Sequence, residues 1–195
     1  EASISRDIFN TKKDNIYASA YVDINFLKDF KFTANVTMDN VYTHLTNFQN
    51  NEEGYAAQEG VNGWIGKSMT FYESFNTQQL LSYKKLVNDV HSIDAMIGHE
   101  FSRDKSSGMS AAKMNIFYPG IPELSNAVVD DANGGDSSTT RSAIEGYFFR
   151  GNYTFDNRYS ASVSYRYDGS SQFAYNQWGH FWSVGGSWRA SEEEW

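Results

Sequence analysis

Gly146-Tyr-Phe-Phe-Arg-Gly-Asn-Tyr-Thr-Phe155, Asp156-Asn157 and Arg158-Tyr-Ser-Ala-Ser-Val-Ser-Tyr-Arg-Tyr167 form the stretch on which the fold turns. Tyr159, Ala161, Val163, Tyr165 and Tyr167 share one parity, and Ser160, Ser162, Ser164, Arg166 and Asp168 the other. A period of two marks a strand whose faces meet unlike surroundings. Asp156-Asn157 is a tight-turn pair between two such strands. Asp168-Gly-Ser-Ser171 then opens a polar and aromatic loop, and Trp178 to Arg189 reads as a third strand. Working outward, the same pattern recurs. Ile16, Ala18, Ala20, Val22, Ile24 and Phe26 alternate with polar residues, as do Phe30, Phe32, Ala34, Val36 and Met38 beyond a turn at Lys28-Asp29. His91, Ile93, Ala95, Ile97 and His99 repeat it after a turn at 88–90.

The totals bound the function. The 195 residues hold no cysteine, so disulfides, thiolate metal sites and cysteine nucleophiles are excluded. A formal net charge of −8 argues against a nucleic-acid surface. No apolar run is long enough for a transmembrane helix, which leaves a membrane barrel open because barrel strands hide every second residue. Aromatics at 16% lean the chain toward β structure. Residues 1–14 read as a loop end or frayed strand, without a secretory leader.

Between the alternating segments the pattern lapses. Irregular stretches are expected at about 40–70, 103–142 and 168–180, with short helices at Met109–Ile116 and Glu123–Val128. Structureless loops beyond ~12–15 residues are unusual in a compact soluble domain. Short and long connections alternate strictly, which in a meander gathers the short turns at one end and the long loops at the other. Outer-membrane barrels have that layout. A strand of about ten residues tilted ~45° spans roughly the ~25 Å apolar band of such a barrel. Phe26, Phe30, Tyr153, Phe155, Tyr159, Trp182 and Trp188 sit where an aromatic girdle belongs. A two-layer soluble sandwich gives the same alternation, but not the segregated loop lengths. The expected fold is therefore all-β: an antiparallel up-and-down meander, part of a transmembrane β-barrel with long extracellular loops, in one domain over 1–195.

Tyr147 to Tyr159, Asp168-Gly-Ser-Ser-Gln-Phe173 and Trp178 to Ala190 resemble the barrel of SusC-like TonB-dependent outer-membrane transporters. Asn15-Ile-Tyr-Ala18, Phe30 to Val36, Leu80-Leu-Ser-Tyr83 and Gly98-His-Glu100 support the resemblance, and Gln172 and Gln177 depart from it in loops. The resemblance implies seven or eight strands of a 22-stranded barrel whose plug lies outside this sequence. It implies a cell outer membrane setting and import of oligosaccharides or peptides, with no covalent chemistry. The implied partners are a SusD-like surface lipoprotein, the TonB complex acting through the plug, and membrane lipid, with no nucleic acid and no cofactor. It also places 191–195 at an internal turn, so Trp195 is not read as a terminal aromatic. A capping box of Ser191 with Glu194 is the plainer alternative.

Candidate ligand-contacting residues are the loop aromatics Trp64, Tyr118, Tyr175 and Trp178, whose flat faces beside Asn, Gln and Asp suit a sugar or a peptide. Packing of the loops, or marking of a membrane boundary, is the competing role for them. The four histidines, His44, His91, His99 and His180, do not form a ligand set. Asp131, Asn133 and Gly135 begin like a calcium loop, but Ser142 stands where the bidentate Glu is required. Asn35 and Asn152 match a glycosylation pattern within strands, read as chance. No phosphate loop, nucleophile elbow or triad is present. A soluble all-β binding or adhesion domain and a passive porin-like barrel remain the alternative functions.

Overall fold

A computed structural model describes residues 6–58 and 60–193. Glu194 of the capping-box reading and Trp195 lie outside the described residues. Eight strands follow one another: β1 (Ile8–Phe26), β2 (Phe30–Gln49), β3 (Trp64–Val87), β4 (His91–Ile116), β5 (Ala127–Asp130), β6 (Asp136–Phe155), β7 (Tyr159–Ser170) and β8 (Trp178–Trp188). The sheet order is β1-β2-β3-β4-β6-β7-β8, with the short β5 paired to β4, and it does not close on itself. It is an antiparallel up-and-down meander, the fold of an outer-membrane barrel in part.

The short turns are built alike. Leu27 and Lys28, Asn88 and Asp89, and Asp156 and Asn157 are consecutive pairs with φ between 46° and 61°. Paired left-handed residues make the turn whose twist matches the strands it joins, and Asn and Asp tolerate that conformation best. The first turn sits one residue earlier than the Lys28-Asp29 expected, on Leu27. The third residue of each turn offers its carbonyl to the next strand's end: Asp29 O accepts from Lys84 N at 2.9 Å, Val90 O from Asp156 N at 2.7 Å, and Arg158 O from Arg189 N at 2.8 Å.

The strands are longer than the alternation indicates. Residues 40–49 extend β2 and 64–70 open β3, so the irregular stretch contracts to 50–63. Met109–Ile116 belongs to β4 and is not a helix. Glu123–Val128 holds one 3₁₀ turn, Leu124–Asn126, and the start of β5. The third long connection runs only over 171–177. Of residues 1–14, expected as a loop end or a frayed strand, 8–14 are strand. The reason is physical. Period two records a difference between faces, and where apolar residues fall on both, as Val41 and Leu45 against Tyr42 and Phe48, it vanishes while the backbone ladder continues.

The chain divides into two compact units. One holds residues up to Ile16, Asp39–Glu73 and Lys105–Arg141. It has a small closed core of Phe48, Ile65, Ile116 and Ala127, with Ile8 and Leu124 packed against it. Buried asparagines secure its loops. Asn50 Oδ1 accepts from Glu52 N and Glu53 N, both at 2.9 Å, while its own amide donates to Asp7. Asn126 Nδ2 donates to the carbonyls of Tyr118 at 2.7 Å and Ile121 at 3.0 Å.

The other unit holds Tyr17–Met38, Ser74–Asp104 and the described residues from Ser142 on. It has two faces and, among the described residues, no buried apolar side chain. The β6–β7 register pairs Tyr147 with Tyr167, Phe149 with Tyr165, Gly151 with Val163 and Tyr153 with Ala161 on one face. Continuing through β7–β8, that face carries Trp182 at 75% and Val184 at 72% exposure. Phe26 stacks on Phe30 at 5.6 Å, Phe30 meets Tyr83 at 4.8 Å, and Phe155 meets Tyr159 at 6.4 Å, a band of rings beside the short turns.

Candidate functional site

The polar face of the second unit is the larger candidate surface. Alternation sets Thr154, Asn152, Arg150 and Phe148 of β6 against Ser160, Ser162, Ser164 and Arg166 of β7. Hydroxyls pair across strands: Thr154 with Ser160 at 3.0 Å, Ser164 with Ser183 at 2.7 Å, and Ser19 with Thr37 at 3.3 Å. Charges are matched locally, Lys31 with Asp23 at 3.1 Å and Lys84 with Asp94 at 3.0 Å. The densest point is Arg166. Its guanidinium donates to both carboxylate oxygens of Asp168 at 3.1 Å, reaches Glu100, and lies 5.2 Å above the Phe148 ring. Gly146 makes room for it, because a Cβ there would sit 2.5 Å from Asp168 Oδ1. Planar Arg–carboxylate pairing with a ring beneath fixes a side chain well.

Beside that cluster is a groove of about 380 Å³, lined by Asn35, Thr37, Asn76, Gln78, Glu100 and Ser102. Asn35 Oδ1 is buried at its wall without a protein partner. The surface offers hydroxyls, amides and already neutralised charges. Such a lining binds uncharged polar groups through hydrogen bonds, and Glu100, whose carboxylate Arg166 already holds, adds no free charge to it.

The four loop aromatics divide by role. Trp64 is the first residue of β3, not a loop residue; its Nε1 donates to Asp131 Oδ2 at 2.8 Å and its ring covers Gly66. That bond, with the Asn133 backbone N–H on the other oxygen at 3.0 Å, holds the Asp131 carboxyl below the usual carboxylate range. Both oxygens of the residue that opens the calcium-like run are thus engaged within the protein. Tyr118 belongs to the same unit and is 67% exposed, its backbone clasped by Asn126. In the other unit, Trp178 begins β8 and stacks on Tyr167 at 4.6 Å, over Gly169. Tyr175 is 89% exposed. Packing accounts for the two tryptophans, and the two tyrosines present open rings.

Three histidines are engaged by side chains, His91 with Tyr153 Oη at 2.7 Å, His180 with Tyr165 Oη at 2.7 Å, and His99 with Gln79 and Glu145. After β8, Glu193 accepts from Tyr159 Oη and from Trp188 Nε1 at 3.0 Å, which lowers its pKa, with Arg158 adding to the effect. Sequence reading missed Glu100 and Asn35, because a strand residue's partners on neighbouring strands have no fixed spacing in the chain.

No family model matches the chain. Over 127 residues it is 30% identical to the TonB-dependent receptor P39 of Formosa agariphila, covering 64% of this chain and 12% of that protein. Over 132 residues it is 28% identical to the TonB-dependent receptor SusC of Bacteroides thetaiotaomicron, covering 67% and 13%. The chain resembles SusC-like TonB-dependent receptors. It spans about an eighth of the length of these curated relatives. The SusC-like fold is equally plain in solved structures. The RagAB peptide transporter superposes with a TM-score of 0.84 at 21% identity, over 93% of this chain and 20% of that one. The same importer in its closed-closed state gives 0.77. The SusC-like barrel wall is an outer-membrane structure, and the relatives are named as receptors and transporters.

Proposed function

We propose that this chain forms wall and loops of an energised importer that carries oligosaccharides or peptides across an outer membrane. The observation that carries the reading is the division of the second unit into an outward apolar face and a hydroxyl- and amide-rich face on which Lys31, Lys84 and Arg166 are paired with carboxylates. The first meets lipid and the second meets cargo or water. Such a wall offers hydrogen-bonding groups to polar cargo, to the hydroxyls of an oligosaccharide and to the backbone amides of a peptide. RagAB, named for peptide transport, supports the peptide arm, and the likeness to SusC supports a SusD-like lipoprotein partner. Energy would reach the barrel from the TonB complex through a plug. The short turns face the periplasm in this reading, and the connections at 50–63, 117–135 and 171–177 face outward. Tyr118 and Tyr175 are the rings placed to touch cargo.

Deletion of the gene and growth on defined oligosaccharides and peptides tests the proposal. Loss of growth on one class, restored by the intact gene and not by a variant uncoupled from TonB, is expected. Unimpaired growth on every source counts against import. A folded monomer in buffer without detergent would return the chain to the soluble adhesion reading.

A further inference from the structure

The β7–β8 ladder is held unequally along its length. Toward the 171–177 connection, Trp178 stacks on Tyr167 at 4.6 Å and His180 bonds Tyr165 Oη at 2.7 Å. Midway, the Ser164 and Ser183 hydroxyls meet at 2.7 Å. Beyond Val184 the strand runs Gly185-Gly186-Ser187, opposite Ser162, Ala161 and Ser160. These residues have little side chain with which to select a partner. Glycine-rich strands specify register weakly, and a glycine within a strand favours a bulge. A slip of one residue there would turn Trp188 from the apolar face to the polar one.

One carboxylate stands where that weakness ends. After β8 the 3₁₀ turn Ala190–Glu192 curls the chain back, and Glu193 N donates to Ala190 O at 3.3 Å. Glu193 Oε1 accepts from Tyr159 Oη and, at 3.0 Å, from Trp188 Nε1. Tyr159 and Trp188 are register partners, so a single oxygen bonds both members of one cross-strand pair. Oε2 lies 3.4 Å from Arg158 Nη1, and Arg158 also meets Asp156 at 3.1 Å. The Glu193 side chain is only 21% exposed. A one-residue slip of β8 takes the indole to the other face, and a two-residue slip carries it about 7 Å along the strand. Either breaks the shared contact. We propose that Glu193 is a positioning residue that fixes the register of the last residues of β8 against β7. Its hydrogen bonds have an ionised acceptor, the stronger kind, and they supply the discrimination that Gly185 and Gly186 lack.

Cysteine pairs report the register in the full-length protein in its own outer membrane. Ser160→Cys/Ser187→Cys reads the end of the ladder and Ser164→Cys/Ser183→Cys its middle, both being register partners. Mass spectrometry of peptides after mild oxidation quantifies each disulfide. In Glu193→Ala the end disulfide should fall roughly tenfold, the scale of one lost hydrogen bond to a charged group, while the middle one is kept. Glu193→Gln, which keeps an oxygen acceptor for both rings, should restore it. Tyr159→Phe/Trp188→Phe removes both donors and leaves the carboxylate. It should reproduce the loss, and it serves where Glu193→Ala does not assemble. An unchanged end disulfide in either variant lacking the contact overturns the proposal. Loss of both disulfides together also overturns it, because Glu193 would then support the whole ladder. Failure of Glu193→Gln to restore the end disulfide does so too, placing the effect in the charge that faces Arg158.

Discussion

Residues 39–73 and 105–141 gather Phe48, Ile65, Ile116 and Ala127 into a small buried core, whereas residues 17–38, 74–104 and 142–193 bury no apolar side chain among the described residues. Both regions are made of the same long strands, so secondary structure does not separate them. What separates them is where the apolar surface goes. The first region covers part of its apolar surface in a small core whose loops buried asparagines secure. The second leaves Trp182, Val184 and Tyr159 open, and in the proposed function a bilayer is the solvent that accepts them. A strand need not choose one solvent along its length.

The comparison can be broken from either side. Phe48 is fully buried, and Phe48→Ala should cost about 3–5 kcal/mol in the first region. Limited proteolysis should then cut within 50–63 or 117–135 while insertion into a membrane is kept. Loss of insertion would show that the two regions do not hold separate cores. In the second region the decisive pair is Val163→Arg against Ser162→Arg, adjacent residues on opposite faces. A charge on the lipid face costs ~2–4 kcal/mol near the bilayer midplane. Val163→Arg should therefore impair assembly in a heat-modifiability assay far more than Ser162→Arg, and equal tolerance would reverse the assignment of faces.

How far the sequence disclosed all this follows the same line. Alternation is visible only where two faces differ, so the hairpin around Ala161 was legible to its turn and the one around Val36 to within one residue. The extensions through Thr43 and Ser110 were not, because apolar and polar residues are mixed on both sides of those strands. Asn50 and Asn51 were expected in an irregular stretch and Asn126 in a short helix; they are internal clasps, and only the fold shows which groups they reach. Among site residues, the alternation found the serines of β7. It could not find that Glu100 meets Arg166, since that contact joins strands far apart in the chain.

The smallest expected effect concerns the acid range. Asp131 is held below its ordinary pKa by Trp64 and the Asn133 N–H, so its contribution to the first region is complete above the ordinary carboxylate value. It is lost as pH falls through the depressed value, and neutral pH is unaffected. Hydrogen exchange of the Trp64 indole N–H should accelerate on acidification below that range. Asp131→Asn, which keeps an acceptor but cannot titrate, should remove the dependence; persistence of it would assign the acid response elsewhere.

The three short turns have one property in common beyond their shape. Each leaves the carbonyl of its third residue, Asp29, Val90 or Arg158, engaged by the strand that follows the hairpin. A hairpin can close from local contacts alone, and local contacts form early. Once closed, it presents a ready acceptor to its successor. Growth of the wall can thus proceed hairpin by hairpin in chain order, each finished piece templating the foot of the next.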